Sequence, residues 1–196
     1  QDKSLLWDLA ADDPAASTSI LSSETEPILA VAFSPDRHWL AAADTRNHVR
    51  FWELTASGAR LTATFVAHEA AITGLAISTD SHWLVTTSED KTARLWNLAD
   101  FGAVAPIRLR GDDQPSTNLI ASQDGHWLVA TDFEGTTRLW DLRRPSALPQ
   151  YLRGHQAAIH VVTLSPNNRW LVTGDDAAVA QLWDLSAADP ANTGHI

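Results

Sequence analysis

Residues 82–98 read His82-Trp83-Leu84-Val85-Thr86-Thr87-Ser88-Glu89-Asp90-Lys91-Thr92-Ala93-Arg94-Leu95-Trp96-Asn97-Leu98. Two tryptophans stand 13 residues apart, with a short polar turn between them. The frame recurs on both sides as Trp39/Trp52, Trp127/Trp140 and Trp170/Trp183, always 13 apart. Successive pairs are offset by 44, 44 and 43 residues, and Trp7 lies 45 before Trp52. All nine indoles therefore fall in two columns of a repeat of about 44 residues. A period of that length marks a repeat architecture before any propensity is weighed.

The first column reads His38-Trp39-Leu40, His82-Trp83-Leu84, His126-Trp127-Leu128 and Arg169-Trp170-Leu171. The second reads Leu6-Trp7-Asp8-Leu9, Phe51-Trp52-Glu53-Leu54, Leu95-Trp96-Asn97-Leu98, Leu139-Trp140-Asp141-Leu142 and Leu182-Trp183-Asp184-Leu185. A turn precedes each first column: Ser34-Pro35-Asp36, Ser78-Thr79-Asp80, Ser122-Gln123-Asp124 and Ser165-Pro166-Asn167. Each unit holds four candidate strands, in the second Leu61–Val66, Ile72–Ile77, Trp83–Thr87 and Thr92–Asn97. The links between them are too short for helical crossovers, so each unit is expected to fold as an antiparallel meander. Four short strands cannot bury both faces of a sheet alone and must stack on neighbours. Trp and Leu supply the bulk for the wedge between stacked sheets, which accounts for nine Trp against five Phe and one Tyr.

The 196 residues suffice for a sizeable core, and 44% apolar with 19% charged residues is a globular composition. With no Cys there are no disulfides, thiolate zinc sites or Cys nucleophiles. With no Met, Gln1 is not an initiator, and the chain is expected to be processed or cut from something longer. A formal charge of −10 argues against a nucleic-acid partner. No apolar run approaches the ~18 residues of a membrane span, and no secretory signal opens the chain, so a cytoplasmic location is expected.

These columns resemble the WD-repeat β-propeller family over essentially the whole chain. Beside the Trp-Asp pairs, the family's Gly-His dipeptide stands at Gly154-His155, and as Ala67-His68 with the Gly lost. Ser23-Glu24 and Gly111-Asp112 occupy the same column in the other repeats. The linkers at residues 8–16 and 184–192 look like those of bacterial members with closely similar repeats. The resemblance implies an all-β β-propeller of four-stranded antiparallel blades, about four repeats forming an open or partial ring. In such propellers the strand before each Gly-His is the outer strand of the preceding blade. Residues 1–24 are then the last two strands of an incomplete blade. Residues 25–66, 67–110 and 111–153 are complete blades, 154–185 the inner three strands of a fourth, and 186–196 a linker or tail. Family members close with about seven or eight blades. The chain is therefore expected to be part of a longer propeller, or a half-ring that pairs with another copy.

By residue type, His68, Ser88 and Asp90 form the Ser/His/Asp set of nucleophilic hydrolysis. No Gly-x-Ser-x-Gly elbow surrounds Ser88. The resemblance implies a structural network instead: Trp96 donates to Ser88, Ser88 to His68, and His68 to Asp90. The other repeats lack that full set, with Asp44, Asp132 and Asp175 at the Ser88 position and Arg46, Glu134 and Ala177 at the Asp90 position. Two readings stand for these Asp residues: direct acceptors of the indole N–H, or solvated turn carboxylates.

The column His38, His82, His126 is spaced at about the ~10 Å of stacked sheets, too far for one metal. The pairs Asp12-Asp13, Asp112-Asp113 and Asp175-Asp176 lack a calcium-loop pattern and read as loop solvation. Arg108, Arg110, Arg143, Arg144 and Arg153 read as a solvated or ion-paired outer edge. No cofactor, metal or catalytic residue is expected. The resemblance places partner-docking loops at Glu69, Ala71 and Thr73, at Gln156, Ala158 and His160, and at Thr45, Glu89, Phe133 and Asp176. Phe133, a bulky apolar side chain between Asp132 and Glu134, is either a binding anchor or packed on a neighbouring loop. The expected function is a non-catalytic scaffold for protein or peptide partners, within a larger bacterial signalling or sensor protein. The alternatives are a structural, self-pairing half-propeller and, more distantly, a hydrolase using His68 and Ser88.

Overall fold

The computed structural model describes residues 4–13, 15–21, 26–99, 105–109 and 116–195. A short ribbon opens the chain, β1 (Leu5–Leu6) paired with β2 (Ser19–Ile20). Four antiparallel meanders follow. The first is β3 (Ile28–Phe33), β4 (Trp39–Asp44), β5 (His48–Thr55) and β6 (Gly58–Val66); the second is β7 (Ile72–Ile77), β8 (Trp83–Ser88), β9 (Ala93–Asn97) and β10 (Ile107–Leu109). The third is β11 (Ser116–Ala121), β12 (Trp127–Asp132), β13 (Thr137–Asp141) and β14 (Gln150–Leu152); the last holds β15 (Ile159–Leu164), β16 (Trp170–Asp175) and β17 (Ala180–Asp184). The segment 61–66 belongs to β6 and pairs with β5, so sheet and sequence repeat are out of phase by one strand. The rest of the described chain is turn and loop, with one 3₁₀ turn at Pro190–Asn192.

The same local chemistry builds every first hairpin. In each, the Ser hydroxyl donates to the acid or amide two residues on, at 2.5 Å for Ser34–Asp36, Ser78–Asp80 and Ser122–Asp124 and 2.6 Å for Ser165–Asn167. That hydroxyl also accepts the N–H of Trp39, Trp83, Trp127 or Trp170 at 2.8–2.9 Å. The first strand of every sheet carries a register shift near its start, at Ile28/Ala30, Ile72/Gly74, Ser116/Asn118 and Ile159/Val161. An extra residue there strengthens the local twist and bends the strand.

Alternation gives each sheet two walls. Ala41, Ala43, Val49 and Phe51 of the first sheet meet Ile77, Leu84 and Trp96 of the second. Val85, Ala93 and Leu95 meet Leu128, Ala130 and Trp140; Val129, Leu139 and Leu152 meet Leu171 and Trp183. Leu40, Ala42 and Trp52 receive Leu21 beside the opening ribbon. The core is thus a series of wedges between blades, each closed by an indole of the second column. The innermost strands β3, β7, β11 and β15 meet in succession, and the sheets form an open arc. Trp7 belongs to the same column but has no described wall in front of it, and it is 49% exposed against 1% for Trp140.

That contrast sets an expected outcome. Trp140→Ala removes ~3–5 kcal/mol of stability, while Trp7→Ala removes well under half of that. Denaturant titration followed by far-UV circular dichroism measures both; equal losses would contradict the wedge account.

Candidate functional site

The turns joining second to third strands all lie at one end of the sheets, together with the loops that lead into each first strand. An acidic side chain organises each turn. Asp44 Oδ1 accepts from the N–H groups of Arg46 and His48 at 2.9 and 3.1 Å, Asp132 Oδ1 from Glu134 and Thr136 at 3.0 and 2.8 Å, and Asp175 Oδ1 from Ala177 and Val179 at 3.0 Å each. In the second repeat Asp90 takes this part, accepting from the Thr92 N–H at 3.0 Å and its hydroxyl at 2.6 Å. The turns end in the left-handed conformation at Asn47, Lys91, Gly135 and Ala178. At Gly135 a Cβ would also stand 2.8 Å from the His155 carbonyl and 2.9 Å from that of Ala157, so only glycine fits where third and fourth blades converge.

Behind the turns the polar interior takes two alternating forms. In the second blade His68 Nδ1 donates to Asp90 Oδ2 at 2.9 Å, its Nε2 lies 2.7 Å from Thr86 Oγ1, and Trp96 Nε1 donates to the same hydroxyl at 3.0 Å. The fourth blade repeats this with His155 Nδ1 to Asp175 Oδ2 at 2.7 Å, Nε2 to Thr173 Oγ1 at 2.8 Å, and Trp183 Nε1 to Thr173 Oγ1 at 3.0 Å. In the first and third blades the acid binds an arginine from the third strand: Arg50 Nη2 to Asp44 Oδ2 at 3.1 Å and Arg138 Nη2 to Asp132 Oδ2 at 2.8 Å. Both pairs are buried, so each charge depends on its partner.

Three sequence expectations are corrected here. The relay from Trp96 to His68 runs through Thr86, not Ser88. Ser88 is buried, but its hydroxyl donates to the Ala70 carbonyl at 3.0 Å and accepts the Asp90 N–H at 3.0 Å. Ser88 sits at the strand end, where it faces the incoming loop; Thr86, two residues back on the same wall, lies under both rings. The Ser–His couple that a hydrolase would need is therefore not assembled by His68 and Ser88. Second, the fourth repeat carries a full relay, because Asp175 itself takes the place of Asp90. Third, Asp44, Asp132 and Asp175 are neither indole acceptors nor solvated: two neutralise buried arginines and one orients a histidine. The sequence signal was present in the second strands, where the column reads Ala42, Thr86, Ala130, Thr173. A hydroxyl stands only in the two blades with a histidine at 68 or 155, so none is left orphaned where the ring is absent.

Burial lowers the pKa of His68 and outweighs the attraction of Asp90, with Arg94 adding to the lowering. The Thr86 hydroxyl accepts from the Trp96 indole, and its own hydrogen can be donated to Nε2 when the ring is neutral. Burial would raise the Asp90 carboxyl, but bonds from Thr92, the Glu69 N–H and His68 outweigh it and hold it below its usual range.

The sequence-derived docking residues divide by exposure. Thr45, Glu69, Glu89, Phe133, Gln156, His160 and Asp176 are exposed; Ala71, Thr73 and Ala158 are half-buried. Ala71 and Ala158 contribute carbonyls that accept the Glu89 and Asp176 N–H groups at 2.9 and 3.1 Å, tying loop to turn. Thr73 Oγ1 lies 3.1 Å from Thr87 Oγ1. Phe133 is 66% exposed and meets the His160 ring edge-on at 6.4 Å, while His160 Nε2 lies 3.1 Å from Asp176 Oδ2. The structure thus brings Phe133, His160 and Asp176 together across the third and fourth blades; the Phe133 ring meets a neighbouring strand at His160 and remains open to solvent.

The remaining sequence candidates are spread elsewhere. His82 Nδ1 lies 2.8 Å from the Asp80 carbonyl, and His126 stacks on Trp127 at 4.0 Å. Among the described residues no three His, Asp or Glu side chains converge as metal ligands. Arg143 and Arg144 both bind Asp141, each with Nε at 3.2 Å, and Arg153 lies over Tyr151. Arg110, Ser23-Glu24 and Asp112-Asp113 lie outside the described residues. No described helix is long and apolar enough to cross a membrane.

With wedge-packed meanders, indole columns and loop-end networks in place, the comparison with known families is direct. The family model of the WD domain, G-beta repeat (WD40) matches residues 16–53, 59–97, 108–141 and 147–184. The chain belongs to the WD40 repeat family, whose propellers are generally non-catalytic platforms for protein interaction. No curated protein matches it.

Two outcomes follow from the network. Thr86→Val leaves the Trp96 indole N–H without its acceptor, shifting that resonance in ¹H–¹⁵N spectra and costing ~1–3 kcal/mol; Ser88→Ala leaves the resonance in place. The unfolded chain takes up the His68 proton near pH ~6.5 and the folded chain only at a lower pH, so stability falls as pH drops through that value. Melting temperatures between pH 7 and 5 should decline, and His68→Asn should flatten the slope. An unchanged slope would mean that His68 does not carry the effect.

Proposed function

We propose that this chain is a protein-interaction scaffold whose partner surface is the loop end of the blades. The observation that carries this reading is the cluster of Phe133, His160 and Asp176. An exposed aromatic ring is held edge-on by a second ring that is itself oriented by a carboxylate. The ring stands on a turn fixed by Asp132 and Gly135, so little ordering entropy is lost when a partner covers it. Thr45, Glu69, Glu89 and Gln156 add exposed polar side chains at the same end of the blades. The module belongs to a larger bacterial signalling or sensor protein of the cytoplasm; its support is the linker pattern at residues 8–16 and 184–192. A self-pairing half-ring of structural role is the second reading, favoured by apolar residues left bare at both ends of the arc, Val31 and Phe33 at one and Val161 at the other.

Affinity capture from a bacterial lysate tests the loop-end reading. The immobilised chain should retain proteins that a Phe133→Ala, His160→Ala double variant loses by ~10-fold or more, as loss of a central anchor requires. Arg144→Ala, at the opposite end of the sheets, should retain them. Equal retention by all three chains would overturn the reading.

A further inference from the structure

At the end of the sheets opposite the docking loops, the third and fourth blades leave a cleft of about 440 Å³ between them. Asp124, His126 and Arg143 line it from the third blade, and Asn167, Asn168 and Arg169 from the fourth. Three of these residues depart from the columns that the other repeats set. Asn167 stands where the other blades carry Asp36, Asp80 and Asp124, and Arg169 where they carry His38, His82 and His126. Arg143 stands in the column of Thr55, Ala99 and Ser186. At this one junction a carboxylate is lost and two guanidiniums are gained.

The hydrogen bonds leave the cleft with spare donors. Asn167 Oδ1 accepts from the Ser165 hydroxyl at 2.6 Å and the Arg169 N–H at 3.2 Å, and Asn168 Oδ1 accepts the Gln123 N–H at 2.8 Å. A backbone N–H can only donate, so both amide orientations are fixed. Each Nδ2 is then without a partner among the described residues. Arg169 holds Asp184 through Nε at 3.2 Å and Nη2 at 2.8 Å. Arg143 Nε holds Asp141 at 3.2 Å, and its Nη2 donates to His126 Nε2. These pairs position the two guanidiniums on facing blades and leave Nη1 of each unpartnered among the described residues. Asp124 is the one acid in the described lining, and its Oδ1 already accepts from the Ser122 hydroxyl at 2.5 Å and the His126 N–H at 3.1 Å.

We propose that this cleft binds a phosphate group, held between Arg143 on the third blade and Arg169 on the fourth, with the Asn167 and Asn168 amides completing its shell. Guanidinium–phosphate hydrogen bonds are among the strongest that side chains make in water. A phosphoryl group carries roughly −1.5 to −2 of charge at neutral pH and offers acceptors in several directions, which suits donors arriving from two walls. A carboxylate presents two oxygens in one plane and meets only one wall at a time. The equivalent junction between the second and third blades has Asp80 and Asp124 with His82 and His126, and no arginine in these columns. The proposal does not rest on the loop-end reading, because the cleft lies at the other end of the blades.

Titration with inorganic phosphate, followed through the Asn168 side-chain amide in ¹H–¹⁵N spectra, should give a saturable shift that acetate at equal ionic strength does not give. Asn167→Asp and Arg169→His install residues that the other blades already carry at these turns, so circular dichroism should be unchanged. Together they should weaken phosphate binding by ~10-fold or more, the loss of one charge-assisted hydrogen bond. Asp124→Asn, a change that the Ser165–Asn167 turn already accommodates, should tighten it. O-Phosphoserine binding more tightly than inorganic phosphate assigns the group to a phosphorylated partner, and the reverse order assigns it to the free anion. A shift that does not saturate, an equal response to acetate, undiminished binding in the double variant or weaker binding after Asp124→Asn overturns the proposal.

Discussion

A four-stranded meander with bulk on both faces has no inside of its own, and that constraint shapes the whole molecule. Leu84 and Trp96 cover one wall of the second blade, Val85 and Leu95 the other, and none of these side chains can leave water until a neighbour arrives. Stability is therefore distributed as a chain of nearest-neighbour wedges rather than gathered in a single core. The indoles follow from this, since a wedge that widens away from the inner strands needs a large, flat filler at the third strand.

The buried polar groups obey a second constraint, that each hydroxyl, ring nitrogen and charge must find a partner inside the blade. Two solutions alternate along the chain. One uses histidine, threonine and the indole; the other uses arginine and the same turn carboxylate. The carboxylate at the turn takes a third-strand arginine in the first and third blades and a histidine from the preceding loop in the fourth, while in the second Asp90 takes His68 with Arg94 close by at 3.5 Å. In both cases the carboxylate also fixes the turn, which links core electrostatics to the shape of the loop end. Phe133 stands on the turn that Asp132 holds, and the same carboxylate binds Arg138.

Much of the fold was legible because hydrophobic period and turn chemistry are local quantities. The Ser-x-Asp or Ser-x-Asn turns and the two Trp columns locate the first three strands of every blade. The relay was only half legible: the residue types at 68, 90 and 96 pointed to a network, but its central hydroxyl was misplaced. Thr86 and Ser88 lie on the same wall two residues apart, and nothing in their spacing says which one the diagonal reach of Trp96 selects. Register decides, because Trp96 stands opposite Leu84 and the next residue along that wall is Thr86. The complete relay of the fourth blade was hidden because Asp175 occupies a column where the second repeat has Ser.

By itself the sequence determined the repeat, the antiparallel blades and the residues that fill the wedges, since each follows from patterns within one period. Only the tertiary structure decided which polar atoms meet and which apolar residues stay bare. Val31 and Leu75 are equivalent by every local criterion, yet one is half exposed and the other packed. The difference lies in what stands in front of them, and burial is a property of neighbours that no single repeat encodes.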